Sequence, residues 1–377
     1  MTTRTTWIWQ FMLVPLAGIF LFPLLWMFST ALKPVDQAMR MPPTWIPKAY
    51  YAPLDGVRTR VVPRGTNAVA GVIVATTGHT RLFVPATDFH DGRVRIVRTL
   101  RGAVVTNLVA ARLLKDVPPG WVQVLEDVDQ TSMAAQRRWD YVAPSALDTR
   151  TELAWRNFLS AMRVIPFARY TLNTLILCLL CVIGTTVSNS LIAYGFARVE
   201  WPGRDFYFAL TLATMMVPFP VTMIALYGVF KSLHWVGTWY PLWVPVFFGG
   251  AFNIFLLRQF YLTIPQDLTD AARIDGCSEW QIFWRVIVPL SKPALAVVAL
   301  FQFMGTWNDF MGPLLYLNDQ KKFTLALGLQ FFQSQSGGTE WHLLMAASTL
   351  MLLPILVLFF FTQKQFIQGI ATTGMKG

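Results

Sequence analysis

The chain has 377 residues, 54% hydrophobic and only 14% charged, with a formal net charge of +11. A soluble domain carries about a quarter charged residues, and several apolar runs here reach the roughly 20 residues needed to cross a bilayer, so an ordinary soluble enzyme is excluded. Residues 34–168 hold 17 Lys+Arg against 11 Asp+Glu and the rest of the excess is scattered, which suits membrane flanks rather than a nucleic-acid surface.

In chain order, Trp7 to Leu32 predicts a first span, flanked by Arg4 and by Lys33-Pro34. It is too long for a cleaved signal segment and lacks a small-residue cleavage site, so it is expected to be a retained anchor, residues 1–33. Residues 34–168 differ in texture. Short β-branched runs alternate with Gly and Pro at Val57–Val62, Val69–Thr76, Arg81–Val84, Arg93–Val97 and Trp121–Leu125. These predict strands of a small domain. Leu108–Lys115 is expected to be a short helix. An amphipathic helix with Leu147, Leu153, Trp155, Phe158 and Met162 is expected after Pro144.

Five more apolar segments follow: Thr171–Phe196, Phe206–Phe230, Trp239–Tyr261, Pro293–Tyr316 and His342–Thr362. The expected fold class is therefore an all-α polytopic membrane protein. It has six transmembrane helices, a β-rich extracytoplasmic insert between helices 1 and 2, and a five-helix core over residues 169–377. Orientation follows from short-loop cations. Arg4, Arg198, Arg204, Arg273, Arg285, Lys292, Lys364 and Lys376 fall on one side, against Lys231, Lys321 and Lys322 on the other. The first side is expected to be cytoplasmic, with both termini. Cys178 and Cys181, one turn apart in an apolar span, read as packing residues; no disulfide framework is legible.

Residues 265–289 interrupt the apolar pattern. Leu268, Ala271, Ala272 and Asp275 fall on one helical face. Pro265 suits a first helical position, and Asp267 and Asp270 suit the positive end of the helix dipole. Gly276 permits a sharp turn. Ser278 with Gln281 has capping-box spacing, and Trp280, Phe283, Trp284 and Ile287 form an apolar stripe that Pro289 ends. The pattern predicts a bent helix pair with one small-residue face and one greasy face. Such a pair suits a coupling element; the plainer alternative is an interfacial pair between spans.

These residues resemble the cytoplasmic loop of inner-membrane permease subunits of binding-protein-dependent ABC importers, of pattern EAA, three residues, Gly, nine residues, I-x-L-P. The chain has Asp270-Ala271-Ala272, Gly276, then Val286, Val288 and Pro289 in register; Asp replaces Glu, and Val replaces Ile and Leu. Further resemblance to the carbohydrate class, the second permease of maltose-type importers, lies in Phe167–Thr174, Met216-Val217-Pro218, Phe255–Phe260, Trp307-Asn308-Asp309-Phe310 and the tail Gly369–Gly377. It is close over about 165–377 and loose over 1–40; the insert departs from it.

The resemblance implies a sugar-importer subunit in a bacterial or archaeal cell membrane. Its partners would be a second permease, an ATPase dimer carrying ATP and Mg, and an extracytoplasmic sugar-binding protein. Asp270, Ala271, Ala272, Gly276 and Pro289 would form the ATPase-coupling site, with Asp270 pairing to a basic residue of the ATPase. No nucleic-acid partner is implied.

No phosphate-cradling P-loop, GxSxG or HExxH pattern occurs. His79, His90, His234 and His342 are scattered, so no catalytic residue, metal site or bound cofactor is expected. Polar residues inside spans are the better lead. Trp307 offers an aromatic face, and Asn308 and Asp309 offer groups for sugar hydroxyls. Met216 and Pro218 lie in a Pro-broken stretch of the kind that lines transport paths. Asn308 serves interhelical hydrogen bonding equally well, as do Asn189 and Asn253. Two rival functions remain: a membrane-anchored enzyme in the outward insert, around Asp88, His90 and Asp91, and an ion-coupled carrier.

Overall fold

The computed structural model describes residues 3–34, 37–38, 45–76, 79–91, 93–100, 103–126, 139–334 and 338–373. They divide into two compact units, Leu32–Ala154 and Met1–Ala31 with Trp155–Gly377.

The first unit is β-rich. Its strands are β1 Lys48–Leu54, β2 Val57–Thr66, β3 Gly71–Thr76, β4 His79–Pro85, β5 Phe89–His90, β6 Arg93–Leu100, β7 Ala103–Val117, β8 Val122–Glu126, β9 Trp139–Val142 and β10 Asp148–Thr151. They form two five-stranded sheets, ordered β10-β1-β2-β8-β9 and β4-β3-β7-β6-β5. Asp55 and Gly56, both at positive φ, make the two-residue turn between β1 and β2, with Leu54 opposite Val57, the pairing that an Asp-Gly dipeptide favours. One core is Ala52, Leu54, Val61, Val124 and Val142; a second is Val72, Val74, Val84, Val94 and Ala111.

Each stretch predicted as a strand contains one, although Val69-Ala70 and Trp121 lie just outside β3 and β8. The helix predicted at Leu108–Lys115 is not formed: the segment is the centre of β7, where Leu108–Ala110 pair with β6 and Ala111–Lys115 pair with β3 across a register shift. Its Leu, Ala, Arg and Lys favour a helix, but pairing with the two neighbouring strands in turn overrides that preference. The helix expected after Pro144 also begins later. Asp148–Thr151 is spent as edge strand β10 against β1, so Leu147 and Leu153 lie outside α2, Arg156–Val164. Residues 155–168, read as part of the insert, belong with the helical unit.

That unit contains α1 Thr3–Ala31, α2, α3 Phe167–Ala197, α4 Arg204–Ala213, α5 Phe219–Ser232, α6 Tyr240–Trp243, α7 Ala251–Thr263, α8 Gln266–Ile274, α9 Glu279–Ile282, α10 Val288–Leu290, α11 Lys292–Trp307, α12 Met311–Tyr316, α13 Leu325–Gly328 and α14 Trp341–Thr373. Among the described residues four stretches are long and apolar enough to cross a membrane, or six if each of two bent helix pairs is one span. Helix α3 is the central post, packed against α7 and α11, while α1 and α2 pack on α14. Between lipid-bathed helices the gain comes from close packing and polar contacts rather than from escape from water.

Three of the apolar segments are interrupted, the chain's third at the stretch expected to be Pro-broken. The third breaks at Val217-Pro218 with a 100° bend between its halves, because the residue before proline is pushed to extended backbone; Val217 has φ −84° and ψ 114°. The fourth passes through α6 and a 3₁₀ turn, Pro245–Phe248, before α7. The fifth stops at Trp307 and restarts at Met311. Freed backbone groups at membrane depth need partners inside the protein, and α3 supplies them to the fourth segment. The Ser188 hydroxyl donates to Val246 O at 3.1 Å. Asn189 Oδ1 accepts from Gly250 N at 2.6 Å. Cys181 lies 3.4 Å from Leu242 O, and both Cys178 and Cys181 are buried packing residues.

Candidate functional site: a capped elbow and a broken fifth segment

The elbow has the expected turn and capping box, with Pro265 one position earlier than expected. Pro265 is the N-cap of α8. At the other end Gly276, at φ +80°, takes the left-handed conformation that glycine adopts without strain. Gly276 N donates to Arg273 O at 3.0 Å and Cys277 N to Ala272 O at 2.9 Å, a Schellman closure of the helix. Ser278 and Gln281 then form the predicted capping box, with Ser278 N donating to Gln281 Oε1 at 2.9 Å and Gln281 N to Ser278 Oγ at 3.4 Å. The second limb runs α9, a π-helical stretch Phe283–Ile287, then α10. A π-bulge rotates the side chains that follow it. Pro289 lies in α10, and the chain bends by 80° into α11.

The limbs face different surroundings. Ile282, Phe283 and Ile287 are buried with Tyr194 of α3, Leu257 and Tyr261 of α7, and Val298 of α11. The other half of the expected stripe, Trp280 and Trp284, is exposed. On α8 only Thr269 is buried. Leu268 and Ile274 are exposed, Ile274 by 87%, with Ala271 and Gly276 beside them; Asp270 and Ala272 are half-buried and Pro289 is exposed.

A polar network joins the limbs to the body. Arg273 Nη1 donates to Asp270 Oδ1 and Nε to Glu279 Oε1, both at 2.9 Å. Its Nη2 donates to Arg198 O at 3.4 Å. The Tyr194 hydroxyl donates to Glu279 Oε2, and Arg198 Nη2 donates to Tyr261 O and Ile264 O. Arg258 of α7 reaches back to Phe196 O at 3.1 Å. Burial alone would raise the Glu279 carboxyl, but the Tyr194 and Arg273 hydrogen bonds outweigh it and hold it below the usual carboxylate range. The Glu279 hydrogen bond, working against burial, holds Arg273 above the usual guanidinium value. Burial lowers Arg198. Arg198 and Arg273 entered the sequence reading only as loop cations, and Glu279 and Tyr194 not at all. Six residues across a turn is no helical spacing, so Arg273–Glu279 carries no periodic signal.

In the fifth segment, Trp307 is fully buried, stacked on Phe303 with ring centroids 5.5 Å apart, and its Nε1 donates to Met351 O of α14 at 3.0 Å. Its face is therefore packed rather than open. Asn308 is exposed and Nδ2 donates to Met304 O at 2.9 Å. Asp309 Oδ1 accepts from Gly312 N at 3.0 Å. Asp309 lines a cavity of about 250 Å³ with Leu177, Leu242, Gln302, Thr306 and Thr324. Met216 and Pro218 are exposed on the third segment and do not line it. Asn189 is buried and ties α3 to the fourth segment through Gly250, while its Nδ2 donates to Thr185 O within α3. Among the described residues no three His, Cys, Asp or Glu side chains converge as metal ligands. The His90 side chain lies outside them.

Residues 189–372 match the family described as "Binding-protein-dependent transport system inner membrane component". The arabinooligosaccharides transport system permease protein AraQ of Bacillus subtilis is 36% identical over 211 residues, 56% of this chain and 74% of that protein. This chain belongs to that family. The permease is also 30% identical to the maltodextrin transport system permease protein MalD of Streptococcus pneumoniae, over 63% of this chain and 85% of that one. It is 32% identical to the sn-glycerol-3-phosphate transport system permease protein UgpE of Yersinia pestis, over 54% and 73%. A solved bacterial ABC transporter involved in the import of the acidic polysaccharide alginate shares the fold, with a TM-score of 0.52 and 21% identity over 57% of this chain and 80% of that one. The permease is a non-enzymatic membrane subunit of an ABC importer, and ATP is hydrolysed on a separate subunit of such systems. The matched segment lies wholly downstream of the β-rich unit.

Proposed function

We propose that this permease is the transmembrane subunit of an ATP-driven sugar importer, with six spans, one for each apolar segment, both termini cytoplasmic, and the β-rich unit outside. It forms the translocation path with a second, homologous permease. An extracytoplasmic binding protein delivers the sugar, and an ATPase dimer docks on the elbow, Asp270 to Pro289. The relatives' names favour an oligosaccharide or sugar-like substrate.

One observation carries the docking assignment: the elbow presents an apolar, small-residue face at Leu268, Ala271 and Ile274, next to the Asp270 carboxylate, while its other limb is sunk in the helical body. An exposed face of that kind accepts a partner backbone closely, and Asp270 meets a basic group there. Gly276 lets the chain reverse, and Pro289 closes the buried limb. The sunk limb passes the displacement to α3 and α7, and rigid-body rocking of the spans gives alternating access. Along the path, Asn308 and Asp309 offer hydrogen bonds to hydroxyls. Trp307 acts from behind as a packed buttress, and the exposed Met216 and Pro218 line the path where the second permease completes it.

Reconstituted in vesicles with its partners, the parent complex should show sugar-binding-protein-stimulated ATP hydrolysis. Asp270→Arg sets two cations face to face and should abolish ATPase co-purification and uptake together. If that variant keeps both, the docking assignment is wrong.

A further inference from the structure

We infer that Arg273 and Glu279 form an internal clamp, with Tyr194 as its anchor on α3, which makes the two limbs of the elbow move as one piece with the end of the central post. The inference rests on the elbow being the docking element.

The geometry is specific to that task. The three Arg273 nitrogens reach three separate elements: Asp270 on α8, Glu279 on α9, and the Arg198 carbonyl just beyond α3. Glu279 in turn divides its two oxygens between Arg273 and the Tyr194 hydroxyl. Beneath them Phe283 lies 5.3 Å from the Tyr194 ring, and Arg198 closes the circuit to the end of α7 through Tyr261 and Ile264. The turn at Asp275-Gly276-Cys277 gives no such rigidity by itself, since a glycine hinge bends easily.

Stability does not explain the arrangement. The Arg273, Asp270 and Glu279 side chains are each more than a third exposed, and exposed pairs of this kind contribute about 0–1 kcal/mol. What a forked guanidinium does supply is fixed mutual orientation of its acceptors. Asp270 is the one acceptor of the three that lies on α8, beside the exposed Ala271 and Ile274. A basic group arriving on α8 competes for Asp270 and leaves Arg273 directed at Glu279 and α3. Docking would therefore tighten the link to the post instead of loosening it, which is the sense needed to transmit force. Arg273 and Glu279 are positioning residues; neither is assigned contact with the ATPase or the sugar.

The test uses the full complex in vesicles, with stimulation of ATP hydrolysis by sugar-loaded binding protein and sugar imported per ATP as readouts. Glu279→Gln should retain the ATPase at parental stoichiometry and reduce both readouts about tenfold, the scale of one charge-assisted hydrogen bond. Arg273→Gln should behave likewise without weakening ATPase association, and Arg273→Lys, which keeps the charge but not the fork, should fall between. Tyr194→Phe deletes a single hydroxyl. It should raise amide exchange over residues 266–290 in the full chain, which keeps the clamp testable if a charge variant fails to assemble. Parental stimulation in both Gln variants, or parental exchange in Tyr194→Phe, overturns the clamp. Loss of the ATPase from Glu279→Gln also overturns it, by making Glu279 a docking residue. Retention of the ATPase by Asp270→Arg would instead overturn the docking reading beneath it.

Discussion

The permease interrupts its apolar segments in two contrasting ways. At the elbow, Gln266 to Leu290, charges on different elements are matched to one another across a turn, so any displacement of one limb is felt by the other and by α3. At the break between α11 and α12, the single carboxylate of Asp309 is satisfied by the backbone of its own next turn, and the aromatic ring beside it is locked into α14. Long-range pairing links elements; local capping shapes one element. The elbow is therefore built to be moved, and the break is built to hold a bend.

The comparison breaks most visibly at Trp307. Trp307→Ala empties a fully buried site and removes the indole donor to Met351 O, and should cost about 3–5 kcal/mol. Thermal unfolding in detergent checks this; near-parental stability would mean the break is held by something other than packing. Next comes Gly312→Ala. Its added Cβ would sit 2.5 Å from Asp309 Oδ2 and 3.1 Å from Leu242, so a loss of about 1–3 kcal/mol is expected from overpacking. Combining it with Asp309→Ala should cost less than the sum of the two, because they share one contact. Gly276→Ala meets no atom within 4 Å. It should cost only the left-handed backbone strain, about 1 kcal/mol, read as faster amide exchange at the end of α8 with folding otherwise intact.

The smallest effect is a pH dependence. The Glu279 carboxyl is held below its usual range in the folded state. The stability it contributes is therefore present above its unfolded pKa and is lost as pH falls through the lower folded value. Elbow protection from exchange, corrected for the intrinsic pH effect, should be flat near neutrality and fall only in acid, and Glu279→Gln should remove that dependence. A dependence centred near neutral pH would point to another group.

Much was legible without coordinates, for reasons that are local. Ser278 and Gln281 lie within one turn, and a left-handed turn after Ile274 requires a residue like Gly276, so the caps and the bend of the elbow could be read residue by residue. Strand runs such as Val57–Val62 carry β-branched residues with turn formers on either side. Leu108–Lys115 misled because its composition favours a helix and only the edges of β3 and β6 decide otherwise. The fifth span misled because apolar composition continues on both sides of Asn308-Asp309 while the helix does not, whereas the prolines near Val217-Pro218 announced the break in the third.

The amino-acid order alone determined that the chain is a membrane protein, where its apolar segments lie, and that a capped, glycine-hinged elbow divides two of them. Each of these rests on hydrophobicity and on contacts within a few residues. Only the tertiary structure decided that Trp307 is sealed inside the bundle and that Arg273 faces Glu279 and the end of α3. Those depend on which helices become neighbours, and partners such as Tyr194 and Glu279, 85 positions apart, leave no periodic trace along the chain.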